Sequence, residues 1–111
     1  MDKTNLKEIW ESVTKDYDNR IVSSANDHNL HLAVFEGEYK WHFHPNSDEM
    51  FIVMEGNLLI EFEDGENVSL KPFDVYLVKA KRVHKTSAVG RTVNLCFEKK
   101  EAETIFLEEH S

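Results

Sequence analysis

The spacing of apolar residues changes once along this chain. In NLKEIWESV, Leu6, Ile9, Trp10 and Val13 fall at i, i+3, i+4 and i+7. That single stripe predicts a short amphipathic helix. Asn5 stands at its N-cap and Glu8 three residues later, the spacing of a capping box. The run Tyr17–Asn19 ends the segment, and from Ile21 the period becomes two. RIVSS, LHLAVFEG, YKWHFH, EMFIVMEG, LLIEFE, NVSL, DVYLV, HKTSA and RTVNLCFE read as strands. They are separated by turn chemistry at ANDHN, Gly37, PNSD, Gly56-Asn57 and Asp64-Gly65. Short strands recurring roughly every eight to twelve residues predict an all-β sandwich or barrel. The expected organisation is a helical segment at residues 1–20 packing on a β domain at residues 21–111. Ile105–Leu107 in the charged tail form a small apolar knot that should fold back on the body.

Alternation assigns faces. Residues i and i+2 of a strand share a side, so His42 and His44 point together, while Trp41 and Phe43 point the other way. In the next strand Glu49, Phe51 and Val53 share one face and Met50, Ile52 and Met54 the other. A half-exposed sheet would show polar residues on one side. Here both sides are apolar, so one face lines an interior and the other needs a cover. That cover is either the helix carrying Trp10 or a second copy of the chain meeting Trp41, Phe43, Met50, Ile52 and Met54 as a homodimer.

Bulk properties narrow the picture. A chain of 111 residues is one domain, and a net charge of −8 disfavours a phosphate backbone, hence no nucleic-acid partner. A single cysteine, Cys96, permits no intramolecular disulfide and fits a reducing cytoplasm. The first residues lack the pattern of a signal peptide, and no apolar run approaches the ~20 residues of a membrane span, so no membrane partner is expected.

The chemistry concentrates in WHFHPNSDEMFIVMEG. His42 and His44 suit two neighbouring ligands of one metal ion. Glu49 can supply a third donor from the start of the antiparallel strand. His84, in KRVHK, is the candidate for a fourth from a distant part of the chain. Mixed imidazole and carboxylate donors suit one divalent ion of zinc, iron, nickel or manganese. Asp48, beside Glu49, is turned away by alternation.

These residues carry a resemblance. HFHPNSDEMFIVMEG resembles the first motif of the cupins, with His42, His44, Glu49 and Gly56 at the matching places. LKPFDVYLVKAKRVHK resembles the second, with Pro72, Asp74 and His84 matching. The likeness spans about Leu30 to Glu98 and is nearest to the small single-domain cupins called mannose-6-phosphate-isomerase-like. It implies a jelly-roll β-barrel (double-stranded β-helix) that dimerises and holds one divalent metal ion through three histidines and a glutamate. Phe73 departs from the motif glycine, which implies a different turn shape there. Ala88 replaces an asparagine, and Gly37 lies one residue closer to His42 than usual.

The expected function is a metal-dependent cupin that binds or transforms a small polar molecule, a sugar derivative or a keto acid, by isomerase- or dioxygenase-like chemistry. The alternative is a non-catalytic metal- or small-ligand-binding module. Metal affinity should fall below the pKa of free histidine, about 6.5. Lys40, Tyr76, Lys79 and Arg82 read as solvated side chains at strand ends. His28, His31 and His110 read as solvated, EKKEAE as a solvated charged segment, and Cys96 as a buried inert thiol.

Overall fold

The computed structural model describes residues 3–107; His110 lies outside the described residues. One helix and nine strands follow one another in order: α1 (Leu6–Ser12), β1 (Tyr17–Ala25), β2 (His28–Glu38), β3 (His42–Phe43), β4 (Glu49–Glu55), β5 (Leu58–Phe62), β6 (Asn67–Leu70), β7 (Val75–Val78), β8 (His84–Lys99) and β9 (Ile105–Phe106). The expected all-β architecture with one short N-terminal helix is what the chain adopts. Three boundaries differ. Strand β1 begins at Tyr17 rather than Ile21; HKTSA and RTVNLCFE are one strand of 16 residues; and β2 runs through Gly37, leaving β3 only two residues long.

Strand β8 is the spine of the fold. Its second half lies between β2 and β4, with Leu95 opposite both Leu32 and Ile52. Its first half pairs with β5, Phe62 opposite His84, and with β3, His42 opposite His84. Strands β1, β7, β6 and β9 complete the edges on β2, β4, β5 and β3, and every pairing is antiparallel. One long strand thus belongs to both layers of the sandwich, turning at Gly90, where φ is +81°.

The two apolar faces read from the sequence become two packed clusters. Phe35, Phe51, Val53, Leu58, Ile60, Phe62, Val78 and Cys96 fill the interior. On the outer face Trp10 and Val13 cover Leu32, Val34, Val93 and Leu95, with Ile52 and Met54 packed against them. The helix is therefore a cover for that face. Asn5 caps it by accepting the Glu8 backbone N–H at 2.9 Å. Its C-terminal carbonyls receive Arg91 from β8, which donates to Trp10 O at 2.5 Å and Val13 O at 3.0 Å.

Two turns set the strand ends near the site. At Gly56, φ is +83°, and a Cβ would stand 2.5 Å from Thr92 Oγ1 and 2.6 Å from Arg91 O, so only glycine lets β4 close on β8. At Phe73 the expected change of turn shape does not occur. Pro72 and Phe73 occupy the corners of a turn closed by Asp74 N–H to Lys71 O at 2.9 Å, and Phe73 itself takes φ +76°, the glycine conformation of a type II turn. The Phe73 N–H bond to Val53 O at 2.7 Å ties that turn to β4.

Phe73 is 77% exposed, so its ring contributes little burial against the strain of a positive φ. Phe73→Gly should therefore stabilise the protein by about 1 kcal/mol, read from the urea midpoint at constant slope. A destabilised variant would mean the ring packs more than its exposure indicates.

Candidate metal centre

Three elements converge on one point. His42 and His84 are cross-strand partners on β3 and β8, so their side chains leave the same face. His44 follows His42 by two residues, and Glu49 opens β4 after the turn at 45–48. Their ligand atoms all lie within 4.8 Å of one another, and all four residues are buried. The turn is held by Lys81 N–H to His44 O at 2.8 Å and by Lys99 N–H to Ser47 Oγ at 3.1 Å. Asp48 faces outward and accepts from Ala80 N–H at 2.8 Å, as alternation predicts.

Each ring is oriented by a backbone carbonyl. His42 Nδ1–H donates to Lys40 O at 2.7 Å, His84 Nδ1–H to Arg82 O at 2.8 Å, and His44 Nδ1–H to Glu103 O at 2.9 Å. A carbonyl only accepts, so each Nδ1 carries a proton. In a neutral imidazole Nε2 is then the lone-pair nitrogen. Second partners of this kind fix the tautomer of ligating histidines.

His84 Nε2 is fully buried without a hydrogen-bond partner and stands 3.6 Å from Glu49 Oε1. An orphaned buried nitrogen is costly. It fits a site shaped for an ion that three imidazoles and a carboxylate would surround. The residues present can thus hold one metal ion.

The protonation pattern without a metal is a neutral substitute for it. Burial would lower the His44 pKa, but the Glu49 hydrogen bond at 3.1 Å and its charge override this and raise it to about 9. Burial would raise Glu49, yet His44 and His84 hold its carboxyl down to about 2. Burial lowers His42 to about 4. The Glu49–His44 pair therefore occupies the space as an ion pair, and the proton that competes with a metal is the one on His44.

The site opens into a cavity of about 220 Å³ lined by His42, His44 and Glu49 on one side. Its further polar lining includes Asn19, His31, Thr86, Asn94, Glu98 and Thr104. His31 Nδ1 contacts Asn19 Oδ1 at 3.2 Å, and His31 Nε2 stands 3.6 Å from Glu98 Oε1. Glu98 Oε2 is buried with no partner. Burial first, then the Glu49 charge, push the Glu98 carboxyl up to about 7.

His31 and Glu98 were expected to be solvated and are not. The signal was parity: His31 shares the face of Ala33 and Phe35, and Glu98 the face of Asn94 and Cys96. Cys96 is a buried thiol as expected, and its place is in this lining. Lys40 and Lys79 are exposed. Arg82 stacks on Phe62 at 3.4 Å and bonds Tyr76 Oη, Glu66 and Asp64. None of Lys40, Tyr76, Lys79 and Arg82 lines the cavity, and no lysine or arginine does.

In EDTA the protein should lose stability as pH rises above 6.5, because the folded-state pKa values of His44 and Glu98 are both raised. His44 is raised when folded, so its contribution is complete below 6.5 and is lost as pH rises through about 9. His42 is lowered when folded, so its contribution is present above 6.5 and is lost as pH falls through about 4. Urea unfolding in EDTA from pH 5 to 9 checks this. Glu49→Gln should flatten the alkaline decline, and a parent whose stability still rises above pH 8 would contradict the assignment.

Comparison with known proteins bears on the whole chain. The family profile described as Cupin domain matches residues 30–97. An uncharacterized protein, YdbB, of Bacillus subtilis (strain 168) is 51% identical over 105 residues, spanning 95% of this chain and 93% of that one. The crystal structure of a cupin-2 domain containing protein from Shewanella frigidimarina superimposes with a TM-score of 0.82 at 31% identity, covering 87% of this chain and 94% of that one. A sugar phosphate isomerase of the cupin superfamily from Silicibacter pomeroyi shares the fold with a TM-score of 0.72 at 16% identity, over 85% of this chain and 67% of that one.

Proposed function

The chain belongs to the cupin domain family, and on that footing we propose that it is a metal-dependent enzyme acting on a small polar molecule held in its cavity. The observation that carries the reading is the convergence of three imidazoles and Glu49 within 4.8 Å, with His42, His44 and Glu49 lining that cavity. The ligands would be His42 Nε2, His44 Nε2, His84 Nε2 and Glu49, holding one divalent ion of zinc, iron, manganese or nickel. Such an ion supplies Lewis acidity or, if iron, a route to dioxygen chemistry. With three neutral imidazoles and one carboxylate the loaded site carries a net charge of +1, matched to an oxygen-bearing ligand.

The cavity limits what that ligand is. With no lysine or arginine in the lining, a phosphate would find no cation beyond the metal-binding corner. The arrangement therefore favours a small hydroxy- or keto-compound over a sugar phosphate, although the fold also serves a sugar phosphate isomerase elsewhere. Glu98 and His31, which line the same cavity, would hold or pass a proton at a substrate hydroxyl or carbonyl. That pair favours an enzyme over a purely structural or ligand-storing module. The ring of Phe51 and the side chains of Phe35 and Leu58 line the same space and limit water.

A homodimer is part of the reading. The helix covers Ile52 and Met54, and Trp41, Phe43 and Met50 remain half-buried. Val75 and Leu77, opposite Ile52 and Met50 on the edge strand β7, are 55% and 39% exposed and extend that apolar face. A second copy would cover it. A cytoplasmic location is consistent with the single buried thiol. No helix among the described residues is long and apolar enough to cross a membrane.

Metal analysis of protein purified without a histidine tag tests the central claim. The parent should carry about one divalent ion per chain, while His44→Ala and Glu49→Gln should retain less than a tenth as much. Equal occupancy in all three, or none in a parent offered zinc, manganese, iron and nickel, would overturn the reading. Sedimentation equilibrium tests the dimer: a monomer at high concentration would leave the helix as the only cover.

A further inference from the structure

We propose that residues 101–107 form a strap that is a working part of the metal centre, and that Asn46 is the positioning residue that holds it there. The inference rests on the metal reading above and adds a segment to the site that neither sequence motif contains.

The three candidate histidines are not oriented in the same way. His42 and His84 each donate from Nδ1 to the carbonyl two residues upstream, Lys40 O and Arg82 O. Those acceptors come with the strand itself. His44 has no such local acceptor and donates instead to Glu103 O, 59 residues away in sequence. The Thr104 hydroxyl lies 3.3 Å from the same nitrogen, and Thr104 also lines the cavity. The candidate ligand that contacts Glu49 is therefore the one whose ring is aimed by a distant segment.

Asn46 fixes that segment. Its Nδ2 donates to Glu101 O at 3.0 Å, and its Oδ1 accepts Glu103 N–H at 2.9 Å. Both polar atoms of the amide are spent on the backbone that flanks the acceptor carbonyl. Asn46 is two residues beyond His44, so one short stretch of chain carries the ligand and the clamp for its acceptor. Beyond Thr104 the strap pairs with β3, Ile105 opposite Phe43 and Phe106 opposite His42, and Leu107 N–H reaches Trp41 O at 3.1 Å. Strap docking and ligand orientation are one arrangement.

Linkage makes this a two-way effect. If the docked strap raises metal affinity, bound metal must stabilise the docked strap by the same factor. Losing the outer partner of a ligating histidine costs typically 10–100-fold in metal affinity. Both hydrogen bonds of Asn46, to Glu101 O and from Glu103 N–H, are exposed, so its removal leaves no buried partner unpaired.

The experiment uses the full chain and Zn²⁺ alone. Affinity is measured by competition with a chromophoric chelator for the parent, Asn46→Ala and Asn46→Asp, the last keeping the acceptor for Glu103 N–H. Amide hydrogen exchange of the parent is measured with and without Zn²⁺. The expected result is a loss of about tenfold or more for Asn46→Ala, a smaller loss for Asn46→Asp, and melting temperatures in EDTA close to the parent's. In the parent, Zn²⁺ should slow exchange at Glu103 and Leu107. Affinities within twofold, together with strap exchange indifferent to Zn²⁺, would overturn the strap while leaving the metal reading intact. A parent that does not bind Zn²⁺ or any of the other three ions would overturn both. The parent exchange data decide the matter even if a variant fails to fold.

Discussion

Burying three imidazoles and a carboxylate among apolar side chains is the constraint around which this fold is arranged. A buried polar group without a partner costs ~1–3 kcal/mol, and a buried lone charge more. The fold meets that cost from outside the cluster. A carbonyl on each Nδ1 satisfies one nitrogen per ring and turns the other inward. The inner nitrogens face Glu49, and the His44–Glu49 ion pair takes up the charge that would otherwise stand alone. His84 Nε2 is left without a hydrogen-bond partner, and the four side chains together could hold one metal ion.

The architecture serves that arrangement. Because β8 belongs to both layers, His84 at its start meets His42 on β3, while Cys96 and Glu98 near its end meet the cavity wall. Gly56 allows β4 to close on the same strand, and Phe73 accepts a strained conformation to keep the turn bound to β4. The outer face needs its own cover, and α1 provides it through Trp10, secured by Arg91. The cavity, the cluster and the cover are thus consequences of one long antiparallel strand.

Much of this is legible in the sequence. Strict alternation around His42, His44, Glu49, Phe51 and Val53 gives the inward face directly, because a strand has a period of two. The helix stripe and its Asn5 cap are equally plain. Other features depend on contacts that no local pattern encodes. His31 and Glu98 looked solvated because each sits beside polar neighbours, although parity with Phe35 and Cys96 placed them inside. The Glu103 carbonyl is invisible to side-chain reading, since any residue at that position offers the same acceptor. Phe73 was expected to change the turn, but the hydrogen bonds at Lys71–Asp74 outweigh its preference and hold φ positive.

The claim that three histidine nitrogens and one glutamate surround a single ion is most directly tested by X-ray absorption on the zinc-loaded protein. The account predicts three imidazole nitrogens at about 2.0–2.1 Å together with an oxygen shell and no sulfur. A thiolate shell near 2.3 Å, which would bring Cys96 into coordination, or fewer than three imidazoles would contradict it.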